Sequence, residues 1–370
     1  MSHLAYSAHK LPAHKRSAHK RSALKYSALA TVAVVALAAC SGPTPAPSGS
    51  PTGDGTPSPS APGELTVVTH ESFALPEELL ARFADQTGLE VTYITPGEGT
   101  SLVNQLILTK DSPLGDVVYG IDNGFAARAV DEGVLTPWTS PDSTVESAFE
   151  GLTPINRGDV CVNADLTWFD EKGLALPETF EDLTDEAYRD LLVVPNPATS
   201  SPGMAMLAAT VGTFGEDGWL DYWQRLSDNG MRIAAGWTEA YYTDFSGGES
   251  EGDRPLVLSY STSPAFTVVG DESTTTALLG TCFRQTEYAG VLAGAANEAG
   301  AQAFVDFLLT EEVQAAIPES MYMYPIDESV ALPPEWEAFA PLSDNPVEVD
   351  PALIAAERDQ WIRDFSEQIR

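Results

Sequence analysis

LTVVTHESFALPEELLARFADQTGLEVTYITPGEGTSLVNQLIL, residues 65–108, switches back and forth between a two-residue and a 3.6-residue period. Leu65–Thr69 is a short β-rich run. Pro76 opens a helical stretch that reaches Thr87, with Glu77 and Glu78 in its first turn, Leu79, Leu80 and Phe83 at helical spacing, and Gly88 as the stop. Leu89–Ile94 reads as a second strand and Thr100–Leu108 as a second helix, with Leu102, Leu106 and Ile107 on one side. Asp116–Tyr119 and Asn123–Glu132 repeat the pair, ended by Gly133. Strand–helix units this short require right-handed crossovers, which predicts an α/β fold with mainly parallel sheet flanked by helices. Ligands of such sheets bind outside the carboxyl ends of the strands. The loops to examine are therefore His70-Glu71-Ser72, Pro96-Gly97-Glu98-Gly99 and Gly120-Ile121-Asp122-Asn123.

Further along, about Asp165 to Gly280 forms a second unit of the same kind. It holds Trp168–Lys172, a polar helix start near Thr184 and a strand Leu191–Val194. The loop 196–203 then runs into an apolar helix, Met204–Val211. Trp219–Leu226 is a helix whose aromatic residues read as core, and Leu256–Tyr260 is a strand. Phe283–Gly294 reads as a strand returning to the first unit, Ala299–Leu309 as a helix, and the segment from Pro351 as an amphipathic helix bearing Leu353, Ile354, Trp361 and Phe365.

Residues 1–40 carry six of the 19 basic side chains, none of the 54 acidic ones and four of the five histidines. The remainder has 13 bases against 54 acids, a formal charge of −41. That balance disfavours nucleic acid and anionic membrane surfaces as partners. Beyond residue 40 only His70 is left, which excludes a multi-histidine metal site there. The basic stretch Lys10–Lys25 and the apolar run Ala28–Ala39 form a secretory signal over 1–39. Leu37-Ala38-Ala39-Cys40 resembles the lipobox of bacterial lipoproteins, which implies lipidation of Cys40 and an extracytoplasmic body anchored to the outer face of the cell membrane. Residues 40–63, almost wholly Ser, Gly, Pro and Thr, read as an extended tether. In an oxidising compartment the remaining pair, Cys161 and Cys282, reads first as a disulfide, with two buried free thiols as the alternative.

Several segments carry a resemblance to the substrate-binding proteins of ABC importers, in the branch with thiamine, ferric-iron, sulfate and polyamine receptors. They are Val67–Phe73, Glu98–Asn104, Asp116–Asn123, Thr199–Gly203, Gly236–Tyr241, Leu256–Ala265 and Met323-Tyr324-Pro325. The resemblance spans roughly Leu65 to Arg370 and is strongest to the thiamine receptors. It implies a two-lobed periplasmic-binding-protein fold of type II, with the ligand in the cleft. Lobe 1 would comprise 64–158 and a return at 283–326, lobe 2 would be 159–282, and 327–370 a C-terminal helical segment. Asn156–Cys161 and Thr281–Tyr288 would cross between lobes, with Cys161 bonded to Cys282.

The resemblance also implies a ligand set: Glu98 and Gly99, Ser200 and Ser201, Trp237, and Tyr260 with Ser261, Thr262 and Ser263. Asp122, Phe266 and Tyr322 extend it; Phe266 stands where thiamine receptors have Tyr, and Tyr322 where they have Trp. The expected ligand is thiamine or a thiamine phosphate, the expected partners an ABC permease and its ATPase, and the expected state a monomer without cofactor or enzymatic activity. Ferric ion held by His70, Glu98, Tyr241 and Tyr242 is an alternative, as is a polyamine. An extracellular hydrolase using His70 is a more distant one.

Overall fold

A computed structural model describes residues 63–248 and 250–369. The signal segment, Cys40 and the tether up to residue 62 lie outside them. The strands are β1 (Glu64–Thr69), β2 (Glu90–Ile94), β3 (Val117–Asp122), β4 (Thr153–Asp165), β5 (Leu192–Pro195), β6 (Arg232–Ala234) and β7 (Leu256–Tyr260). They are followed by β8 (Val268–Val269), β9 (Glu272–Ser273), β10 (Thr275–Ala277), β11 (Phe283–Val291) and β12 (Tyr324–Pro325). The helices are α1 (Glu77–Thr87), α2 (Gly99–Leu108), α3 (Ala126–Asp131), α4 (Leu166–Lys172), α5 (Ser201–Phe214) and α6 (Trp219–Asp228). After them come α7 (Trp237–Glu239), α8 (Glu298–Leu308), α9 (Glu311–Met321), α10 (Pro334–Phe339) and α11 (Pro351–Gln368).

The main sheet runs β2-β1-β3-β11-β4-β7-β5-β6, with β10 and β12 also pairing to β4. Its two wings are parallel: β1 with β2 and β3, and β5 with β6 and β7. The centre is antiparallel, because β11 pairs with both β3 and β4, and β4 with β7. Strands covered on both faces read as continuous apolar runs rather than alternations. Leu65 and Val67 accordingly enter the core shared by α1, α8 and α9, while Val68 enters the core shared by α2, α5 and α6. Cys161 and Cys282 are bonded, Sγ–Sγ 2.01 Å, where β4 leaves β11 for β7.

Two elements differ from their sequence expectation. The helix expected from Asn123 begins at Ala126. Asn123 instead extends the sheet: its Nδ2 donates to Arg284 O at 3.1 Å and its Oδ1 accepts from Thr286 N at 3.2 Å. The helix expected near Thr184 is a pair of 3-10 turns, Asp182–Thr184 and Glu186–Tyr188. There Asn229 Nδ2 donates to the carbonyls of Leu183 and Asp185, acceptors that a continuing helix would have used.

The last helix ties the wings together. Ile354, Trp361 and Phe365 of α11 share the α5–α6 core, and Phe365 meets Trp223 edge-on at 5.0 Å. On its other side the Arg358 guanidinium lies 4.4 Å from the ring centroid of Phe125, just before α3.

Candidate ligand cavity

Strand-to-helix connections from both wings meet over the central strands and enclose a cavity of about 250 Å³. One side is aromatic. Trp237 opens α7 directly after β6, and its ring is stacked on Tyr241 at 5.2 Å and 14°. The Trp237 Nε1–H donates to Ser259 Oγ at 2.9 Å, and that hydroxyl is 2.8 Å from Ser263 Oγ, so the indole is fixed from behind by two buried serines. Tyr260, at the end of β7, stands 6.1 Å from the indole, and Tyr322 5.6 Å from it. Tyr242 closes the mouth, its hydroxyl 2.9 Å from that of Tyr322. Tyr322 itself holds φ 60°, a left-handed conformation uncommon for a non-glycine residue, as the cap of α9.

The other side is acidic. Glu71, Glu98 and Glu287 line it with His70; among the described residues no Lys or Arg lines the cavity. Glu98 precedes α2, and its carboxylate accepts the backbone N–H of Trp237, so an acid from one wing grips the aromatic residue of the other. Burial raises the Glu98 carboxyl above its ordinary value, opposed by His70 and that N–H. Gly99 leaves room for the same closeness: a Cβ there would lie 2.0 Å from Ser201 Oγ at the start of α5, and that hydroxyl would have to turn away. Behind this layer Asp122 is buried and pushed up to about 6, even though Ser201 and the Gly124 N–H favour its charged form.

Of the residues expected from the sequence, Glu98, Gly99, Ser201, Trp237, Tyr260 and Tyr322 line the cavity. Ser200, Asp122, Ser261, Thr262, Ser263 and Phe266 do not. Ser200 is fully buried as the N-cap of α5. Thr262 Oγ1 donates to Tyr322 O, and Phe266 stacks on the Tyr322 ring at 3.9 Å, so both support the wall from outside. Tyr241 is buried and packs beneath Trp237. The sequence pattern assigns no ligand role to Glu287 and none outside iron binding to Tyr242. The signal available for Glu287 is an acid inside an otherwise buried strand, where an unpaired carboxylate is costly.

Residues 112–345 match the family described as bacterial extracellular solute-binding protein. The chain belongs to that family. Among curated relatives, a thiamine-binding periplasmic protein of Escherichia coli K12 is 28% identical, the match covering 82% of this chain and 93% of the relative. The same-named protein of Brucella melitensis is 26% identical over 84% of this chain and 93% of its own. Iron uptake protein A1 of Synechocystis is 23% identical over 79% and 85%. Among solved structures, a periplasmic thiamin binding protein superposes with a TM-score of 0.73 at 26% identity, covering 83% of this chain and 96% of that one. Iron-bound HitA of Pseudomonas aeruginosa, at 21% identity and a TM-score of 0.64, shares the fold, with 81% and 98% covered. The fold is thus that of type II periplasmic binding proteins, and this solute-binding protein has relatives that carry ligands rather than transform them.

Proposed function

We propose that this protein captures thiamine, or a thiamine phosphate, in the cavity between Trp237 and Glu287 and delivers it to an ABC permease driven by a cytoplasmic ATPase. The observation that carries the reading is the pairing of one aromatic wall with three carboxylates and, among the described residues, no Lys or Arg in the lining. Such a site selects a flat organic cation. A thiazolium held against Trp237 or Tyr260 gains about 0.5–2 kcal/mol from the ring faces, and more as water leaves. Glu98 and Glu287 balance its charge, and the Ser201 hydroxyl with the first N–H groups of α2 and α5 suits a hydroxyethyl tail or its phosphate ester. Thiamine-binding relatives that match more than four-fifths of this chain support the same choice.

The protein is further proposed to be a monomer held at the outer face of the cell membrane through lipidated Cys40, with the acidic body kept off an anionic bilayer. Its lobes, 64–158 with 283–326 and 159–282, would close about β4 and β11, in which case Glu98 and the Trp237 N–H form a latch between them. Titration calorimetry on protein freed of bound guests, with thiamine, its phosphates, Fe(III) and spermidine, tests the ligand. Saturable thiamine binding is expected. No binding at micromolar concentration, or tight binding of Fe(III) instead, refutes it. Cys40→Ala is expected to move the protein from the membrane to the soluble fraction.

A further inference from the structure

The cavity floor holds an ionisable pair that the aromatic reading does not use. His70 Nε2 lies 3.5 Å from Glu287 Oε1, with both side chains about nine-tenths buried. Gly120, at φ 98°, makes room for the imidazole: a Cβ there would sit 2.0 Å from His70 Cδ2. Glu287 is held in turn by Tyr119, whose hydroxyl donates to Oε2 at 2.7 Å, and Asn156 donates to that phenol oxygen. On its outer side, His70 Nδ1 accepts the backbone N–H of Ser72 at 3.1 Å.

That last bond defines two states. A neutral His70 with its proton on Nε2 keeps the Ser72 bond and still faces Glu287. A protonated His70 forms a full ion pair with Glu287, but its Nδ1–H can no longer accept from Ser72. The balance is set by the groups around it: Glu287 on β11, Glu98 before α2, Asp122 at the end of β3 and Glu71 next in sequence to His70, with Tyr119 and Tyr260 as neutral phenols and Arg358 acting on Asp122 from behind. Burial alone would lower the imidazole's affinity for a proton; the carboxylates of Glu287, Glu98 and Asp122 outweigh it and raise it.

We propose that cation capture is coupled to proton release at His70: the bound cation takes over the carboxylates of Glu287 and Glu98, and the imidazolium proton leaves to solvent. The exchange conserves charge, one cation entering and one proton departing, and it restores the Ser72–His70 hydrogen bond in the segment 70–74 that lines the cavity. Glu287 is thereby assigned as a ligand counter-charge, and His70 as the group that occupies it in the unliganded cleft. The inference rests on the ligand being a cation.

Calorimetry of the full chain with thiamine in buffers of low and high ionisation enthalpy, from pH 6 to 8.5, reads the protons directly. About half a proton or more per thiamine is expected at pH 6.5, declining as pH rises. Affinity is expected to strengthen with pH, approaching about tenfold per unit where His70 is protonated. Glu98 and Asp122 also release protons at the acid end, so His70→Gln supplies the difference: its proton release and pH slope are expected to be smaller than wild type at every pH. The wild-type buffer dependence needs no variant and stands even if His70→Gln fails to fold. Saturable binding without buffer dependence, or a slope unchanged in His70→Gln, overturns the coupling alone. Absence of thiamine binding at every pH removes the ligand reading and the coupling with it.

Discussion

Trp237, Tyr241 and Tyr242 come from one short stretch of chain after β6, and Tyr260 from the end of β7; His70 and Glu98 come from the loops after β1 and β2, and Glu287 from the middle of β11. The first group is held by ring stacking and two serine hydroxyls, the second by charge. A stacked indole whose N–H is already bonded presents the same face at any pH. A buried His–Glu pair changes state with protons and with any ion that enters. The aromatic wall therefore supplies shape and the acidic floor supplies regulation, joined where the Glu98 carboxylate accepts the Trp237 backbone N–H.

The largest effect is expected beneath the wall. Ser259, which orients Trp237, lies opposite Cys161 in the β4–β7 register, and Cys161 is tied to Cys282 across a sequence separation of 121. A bridge closing a loop of that length is worth about 4–5 kcal/mol in the chain-entropy account. The double variant Cys161→Ser with Cys282→Ser is expected to lose about that much in urea unfolding. A loss under about 1 kcal/mol would mean that the sheet alone holds the wall.

Beneath the floor the expected effect depends on pH. The Asp122 carboxyl rises from its ordinary 3.8 to about 6 in the fold. A raised acid favours the folded state while protonated. Its stabilisation is thus full below about 3.8 and is lost as pH climbs through about 6. That rise corresponds to about 3 kcal/mol. Asp122→Asn retains an oxygen for the Gly124 N–H, which Asp122 Oδ1 accepts at 2.7 Å, and does not ionise. Relative to wild type it is expected to gain up to about 3 kcal/mol between pH 4 and pH 8. Because Asp122 also interacts with Glu287 and His70, the difference between the two stability curves reads its charge together with that coupling. Parallel curves would place the charge of Asp122 elsewhere.

The same contrast governs how much of the molecule is legible in its amino-acid sequence. Strand–helix alternation is local, so β1, α1, β2 and α2 are legible within a residue or two, and the aromatic motif around Trp237 is legible because its members are neighbours in sequence. The mainly parallel character holds for the wings but not for the centre, where β11 returns antiparallel between β3 and β4. Nothing local marks that return. The floor is the least legible part. Glu287 meets His70 across 217 residues of chain, and in so acidic a sequence one carboxylate more in a strand carries little information. Thr262 and Ser263 fall in the right motif yet support the wall from behind, because a hydroxyl run after a strand serves equally to face a ligand or to hold a backbone.

For the wall itself, Trp237→Ala removes the ring that Tyr241, Tyr242, Tyr260 and Tyr322 all contact. Buried aromatic anchors typically account for about 2 kcal/mol or more of binding. Thiamine affinity is expected to weaken by about 2 kcal/mol, roughly 30-fold, by calorimetry at pH 8, where His70 is least protonated. Its dependence on pH should remain, since the floor is untouched. A variant that loses the pH slope along with affinity would show that wall and floor act as one unit.

The smallest effect is expected at the mouth. Tyr242 is about half exposed, and its hydroxyl meets that of Tyr322 at 2.9 Å without any charge involved. Tyr242→Phe keeps the ring beside Trp237 and removes this one bond, so the cost is about 0.5–1 kcal/mol, a fewfold change in affinity. Because the bond spans the opening, the change should fall on ligand escape: stopped-flow tryptophan fluorescence is expected to show faster dissociation with nearly unchanged association. An equal slowing of association would mean that Tyr242 guides the cation in rather than closing behind it.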